Sequence, residues 1–160
     1  MKNQCNENWV KNNNWWTPKY LLDYIKKEHF GWQDYFDPCP YNPNYEVDWL
    51  KIDWGKYTFC NPPYTTAEKA KFVKKSYEEY KKWKKIILLI PWSTETQNFF
   101  KYIYPYAKVY LLEKRVQFYG YNTKWEWVTD KTGQSWSALC IFWEKPWIEP
   151  LEYTEYSKYR

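Results

Sequence analysis

Four consecutive residues, Asn61-Pro62-Pro63-Tyr64, combine the groups needed to activate a planar amino nitrogen. Such a nitrogen is a poor nucleophile, because its lone pair is delocalised into the attached ring. Acceptors placed on both of its N–H bonds favour a localised, tetrahedral lone pair. The side-chain carbonyl of Asn61 offers one acceptor and the backbone carbonyl of Pro62 offers the second. Two successive prolines fix φ and restrict the turn, so the second acceptor is set before a substrate arrives. Preorganisation of this kind lowers a barrier without rearrangement during reaction. Tyr64 adds a flat face for an extruded base, and base-on-aromatic stacking contributes about 1–3 kcal/mol. Extrusion is required wherever the amino group must be reached inside a duplex. As four letters alone, the segment also describes a rigid strand-to-helix turn with an Asn cap.

The neighbouring residues separate these alternatives. Tyr57 to Cys60 is a β-type run that ends at Asn61, and Thr65-x-x-Glu68 directly afterwards is a capping-box pattern. A helix is expected to about Lys85, with Ala70, Val73, Tyr77 and Tyr80 on one face. Eight lysines between Lys69 and Lys85 read as a solvated face, with phosphate contact as the alternative. The aliphatic run Ile86 to Ile90 predicts a central buried strand of a parallel sheet. Pro91-Trp92-Ser93 leaves it, and Thr94-x-x-Gln97 predicts a helix to about Tyr104. Lys108 to Leu112 predicts a strand, with Arg115 to Phe118 as a short extension. A hairpin is expected from Trp125 to Trp136 around Asp130 to Gly133, and a final strand from Ser137 to Trp143.

Upstream, residues 1–16 read as a loose polar arm. Thr17 as N-cap and Pro18 at the first helical position open a helix that carries Leu21, Leu22 and Ile25 on one face and ends near Gly31. Residues 32–36 predict a strand running into Asp37-Pro38-Cys39-Pro40. Residues 41–56 read as loop with a short strand near Val47 to Ile52, and the tail after Pro146 as irregular. Strands separated by helices predict an α/β fold: one domain over residues 1–160, with a mostly parallel central sheet flanked by helices and room for an antiparallel element at its end. Ligands bind such sheets beyond the carboxyl ends of the strands, which is where Asn61 to Tyr64 falls.

Composition bounds the rest. The chain has 160 residues, 24% aromatic and 27% charged, which is not the profile of a disordered chain. A net charge of +5 suits a polyanionic partner without requiring one. Cys5, Cys39, Cys60 and Cys140 are widely spaced and His29 is the only histidine, so no metal site is expected. No apolar secretory segment opens the chain, and a reducing, cytoplasmic setting is the default expectation.

An ordered series over residues 16–143 resembles the phage-type Dam family of DNA adenine-N6 methyltransferases. Its parts are Trp16-Thr17-Pro18, Asp37-Pro38-Cys39, Phe59-Cys60-Asn61-Pro62-Pro63-Tyr64, Ile90-Pro91, Thr94 to Phe100, Arg115-Val116-Gln117-Phe118 and Ser137 to Phe142. The resemblance implies a reduced class I, Rossmann-like fold and methyl transfer from S-adenosylmethionine to a flipped-out adenine in duplex DNA, within a phage or restriction-modification setting. It implies catalytic roles for Asn61, Pro62, Pro63 and Tyr64, and a cofactor site built from Trp16, Thr17, Pro18, Asp37, Pro38, Cys39, Phe59 and Asn61. Electron-rich rings favour a sulfonium, and Trp15, Trp16 and Phe59 are candidates. No glycine follows Asp37 until Gly55, and only 23 residues lie between Asp37 and Asn61 (positions 38–60), so Asp34, Asp48 and Asp53 compete for the same role. Arg115, Lys124, Trp125 and Lys131 are candidate DNA contacts, the last three within an expected DNA-contacting segment over residues 119–136 that also holds Trp127. The tetrapeptide equally suits cytosine N4, RNA or a protein amide, and a decayed scaffold that only binds nucleic acid is the non-enzymatic alternative.

Overall fold

A computed structural model describes residues 15–40, 47–93, 96–121, 126–133 and 135–160. The elements are β1 (Trp15–Trp16), α1 (Lys19–Glu28), β2 (Tyr57–Cys60), α2 (Thr66–Tyr80), β3 (Lys85–Pro91), a π-helical turn (Phe99–Ile103), β4 (Ala107–Leu112), β5 (Gln117–Tyr121), β6 (Trp127–Thr132), β7 (Ser137–Phe142), β8 (Trp147–Leu151) and α3 (Tyr153–Ser157). Five strands form one sheet in the order β2-β3-β7-β4-β8, and β1-β5-β6 form a second.

The expected reduced class I, Rossmann-like arrangement, a mostly parallel sheet flanked by helices, is not what forms. The large sheet is mixed: β2–β3 and β4–β8 are parallel, whereas β7 pairs antiparallel with both β3 and β4. The small sheet is antiparallel in both of its pairings. The reason is connectivity. Apolar runs report burial but not direction, and β7 reaches its place between β3 and β4 after the chain has passed through the β5–β6 hairpin instead of a crossover helix.

Alternation along β3 divides the core. Ile86, Leu88 and Ile90 join Phe72 and Val73 of α2, while Ile87 and Leu89 join Leu21 and Ile25 of α1, Phe118 of β5 and Tyr156 of α3. Helix α1 ends as expected: Gly31 takes φ +58°, and the Trp32 N–H bonds the Lys26 carbonyl at 2.9 Å. Its start differs from expectation. Pro18 is the cap residue and its carbonyl accepts from Leu21 and Leu22, leaving the Thr17 side chain for another partner. Helix α2 opens on Thr65 without a side-chain capping bond and stops at Tyr80, because Trp83 turns at φ +65° and Lys85 already belongs to β3.

Several other boundaries move. Residues Trp15 and Trp16, expected in the loose arm, pair with Gly120 and Tyr119. Of the strand expected over 32–36, only Phe36 pairs, parallel to Thr58. Residues 47–52 form a turn and no strand. The hairpin expected within 125–136 is instead made by β5 and β6. The tail is ordered as β8 and α3. Pro150 concealed β8, since proline argues against a strand unless the strand lies at an edge, as this one does beside β4. Residues 1–14 and Thr94 lie outside the described residues. Among the described residues no helix is long and apolar enough to cross a membrane.

Candidate functional site

The site is assembled where β2 and β3 end. Phe36 runs beside β2: its N–H bonds the Tyr57 carbonyl at 2.8 Å, and its carbonyl accepts from Phe59 at 3.0 Å. Asp37 therefore leaves in the same direction as Asn61. Gly55 permits this approach, because a Cβ there would stand 2.7 Å from the Phe36 Cβ. The thiols of Cys39 and Cys60 lie 3.6 Å apart in the core and hold the two segments together. One carboxylate oxygen of Asp37 accepts the Cys39 N–H at 2.7 Å. Burial pushes the Asp37 carboxyl up to about 6, and that single N–H bond only partly offsets it.

Asn61 is held from the opposite side of the sequence. Its Nδ2 donates to the hydroxyl of Thr17 at 3.2 Å, and Thr17 is only 6% exposed. Its Oδ1 is buried and has no hydrogen-bond partner among the described residues. Buried polar atoms are almost always paired; among the described residues the His29 Nε2 and the Trp49 Nε1 share this condition, and the Asn61 oxygen is the one that belongs to an oriented amide beside Asp37. Pro62 and Pro63 are buried behind it. Tyr64 sets its ring edge-to-face with Phe118 at 6.3 Å, and its hydroxyl donates to the Leu89 carbonyl at 3.5 Å. Burial raises the Tyr64 phenol well above its ordinary value, so it stays protonated.

The other expected cofactor residues divide. Thr17, flanked in the chain by Trp16 and Pro18, reaches Asn61 directly, and Cys39, which follows Pro38, reaches the adjoining Cys60. Phe59 does not: it is 2% exposed, inside the core, and edge-on to Tyr35 at 6.0 Å. The competing acids are engaged elsewhere. Asp34 pairs with Lys26 at 2.7 Å, Asp48 with Lys51 at 3.0 Å, and Asp53 with Lys82 and Lys84 at 2.8 and 2.7 Å. Asp37 is the acid beside the tetrapeptide.

Among the expected DNA contacts, the Arg115 guanidinium stands 5.7 Å from the ring of Trp136, and the Lys131 ammonium 6.0 Å from the ring of Trp15. Lys124 and Trp125 lie outside the described residues. The lysines of α2 and its exit are not a uniform solvated face. Lys75, Lys82 and Lys84 converge on buried Glu79 at 2.6, 2.9 and 2.6 Å.

Sequence reasoning missed several neighbours. Trp16 packs on Tyr119 and Trp127 at 5.5 and 5.1 Å, giving the site an aromatic flank. Lys69 donates to Ser93 at 3.5 Å, joining the first turn of α2 to the end of β3. The excess of aromatics was the available signal, but it gave no positions. A β5–β1 pairing across about a hundred residues has no local trace.

The sequence model of a family described as DNA N-6-adenine-methyltransferase (Dam) matches residues 4–159, nearly the whole chain. The chain belongs to that family. No match to a curated protein or to a solved structure was found.

Proposed function

We propose that this member of the Dam family transfers a methyl group to the N6 amino nitrogen of an adenine extruded from duplex DNA, with Asn61 and Pro62 as the two acceptors. The observation that carries the reading is the buried, unpartnered Oδ1 of Asn61, oriented by Thr17. An adenine amino group bonded to that oxygen and to the Pro62 carbonyl keeps a localised lone pair. The Asn61 acceptor is oriented by Thr17 and the two prolines restrict the Pro62 carbonyl, so the bonds would strengthen as positive charge develops on the nitrogen. Tyr64, braced by Phe118 and Leu89, offers its ring as the stacking surface for the base.

The residues present fit S-adenosylmethionine, the methyl donor generally used by methyltransferases of this kind. When bound, it supplies an electrophilic methyl group carried on a sulfonium. The Asp37 carboxylate would accept from its ribose hydroxyls or its ammonium, and a positive ligand favours the ionised form that burial opposes. The backbone about Thr17 and Pro18 and the ring of Trp16 would complete that side, with Pro38 and Cys39 fixing the Asp37 turn. Arg115 and Lys131, and Lys124 and Trp125 from the sequence, are the candidate contacts to DNA outside the base pocket.

The test is transfer of labelled methyl from S-adenosylmethionine to duplex DNA, followed by digestion and identification of the modified nucleoside. N6-methyladenine is the expected product. N4-methylcytosine, or wild-type activity in Asn61→Ala with cofactor binding intact, overturns the assignment.

A further inference from the structure

Two tryptophans at the end of β3 are unused by the chemistry above. Pro91 pairs with Ser137, and one residue further the Trp92 N–H donates to the Trp136 carbonyl at 2.8 Å. The two residues thus lie directly opposite each other, and opposite residues of an antiparallel pair share a face. Their indoles are 46% and 48% exposed. Large rings left in solvent cost free energy unless a partner covers them. The surroundings are cationic: the Arg115 guanidinium sits 5.7 Å from the Trp136 ring, and Lys69 reaches Ser93 next to Trp92.

The distance from the proposed base pocket is set by register. Cys60 pairs with Leu88, so Asn61 is level with Leu89, three residues short of Trp92 on the adjoining strand. Three residues of strand rise about 10 Å, and by the alternation along β3 Trp92 follows Leu88 and Ile90 toward the α2 side, whereas Tyr64 packs on the α1 side, so the two features share one edge of the sheet and not one face.

We propose that Trp92 and Trp136 form a stacking platform for nucleotides flanking the target base, on the α2 side of the same sheet edge, with Arg115 and Lys69 holding the adjoining phosphates. The proposal rests on the DNA reading of the preceding subsection and extends it to a specific surface. Indole faces bind any base that is unstacked, so the platform favours DNA distorted beside the extrusion point. Phosphate contacts from the two cations add a salt-dependent component.

The experiment measures binding of labelled duplexes by the full chain, by Trp92→Ala, Trp136→Ala and the corresponding Phe variants, and by Arg115→Ala. One duplex is fully paired and one carries a mismatch next to an adenine. The Ala variants should bind about tenfold or more weakly, the Phe variants within about threefold of wild type. Wild type should prefer the mismatched duplex, and the Ala variants should lose that preference. Arg115→Ala should weaken binding to both duplexes and reduce the salt slope by about one. Melting temperature and S-adenosylmethionine affinity should be unchanged throughout. Wild-type affinity and mismatch preference in both Ala variants overturn the platform while leaving methyl transfer standing. A wild-type chain that binds no DNA overturns the platform and the DNA reading together.

Discussion

Asp37 and Glu79 are both carboxylates taken out of water, and the protein treats them in opposite ways. Glu79, 0% exposed, accepts from Lys75, Lys82 and Lys84 and from the Trp54 N–H at 3.2 Å. Burial works to raise its carboxyl, but these donors outweigh burial and hold it down to about 2. Asp37 has one backbone N–H, and burial wins, lifting it to about 6. Beside it, Asn61 keeps an acceptor without a partner. The region around Glu79 is finished as folded. The region around Asp37 and Asn61 is left incomplete, as the proposed binding of a cation and an amino group there requires.

The contrast can be broken most severely at Glu79. Glu79→Ala leaves Lys75 without its carboxylate, and Lys82 and Lys84 with Asp53 alone, and should destabilise the protein by about 3 kcal/mol in denaturant unfolding, with any methyl transfer lost only as the fold is lost. The sign with pH follows from a lowered value. Stability from Glu79 is fully present above about 4.5 and drains as pH falls toward about 2. An unfolding midpoint insensitive to pH over that window would contradict the pairing.

Asn61→Ala is the converse experiment. It removes no pairing that the fold depends on beyond the Thr17 bond, so melting should barely change. Transfer should fall about 10²–10³-fold, the usual loss when one preorganised polar group is removed.

Asp37 should show the opposite pH behaviour to Glu79. Its raised value means the folded state holds the proton to higher pH, so its contribution is most favourable below 3.8 and is lost as pH rises through about 6. Asp37→Asn should therefore stabilise the protein at pH 8 by on the order of 2 kcal/mol, while weakening S-adenosylmethionine binding. In the wild type, cofactor affinity should decline as pH drops below about 6. Calorimetry at several pH values separates the two effects, and an unchanged cofactor affinity in the variant would remove Asp37 from the site.

The smallest effect belongs to Thr17. Thr17→Val keeps the shape but frees the Asn61 amide, at a cost of about 0.5–1.5 kcal/mol. Because Thr17 acts through Asn61, kcat should fall several-fold with KM for the cofactor little changed, and Thr17→Ser should restore it. A loss of stability equal to the loss of rate would make Thr17 merely structural.

Much of this was readable from residues alone, because it depends on local chemistry. The tetrapeptide, the strand before it, the buried run Ile86 to Ile90 and the stop at Gly31 each follow from proline geometry, β-type residues, aliphatic continuity or a left-handed glycine. Even Asp37 was separable as a candidate, though not from Asp34, Asp48 and Asp53. Only the folded chain shows which of them are paired with lysines, since those partners lie up to 31 residues away, as Lys84 does from Asp53. Strand direction was likewise undetermined. Burial of β7 is written in Ser137 to Phe142, but its antiparallel insertion between β3 and β4 is set by chain connectivity, which leaves no periodicity to read. The same holds for the Thr17–Asn61 bond, made across 44 residues. Sequence by itself determined which groups can do chemistry. Tertiary structure decided which of them are paired and which are not, because pairing is a property of three-dimensional neighbours.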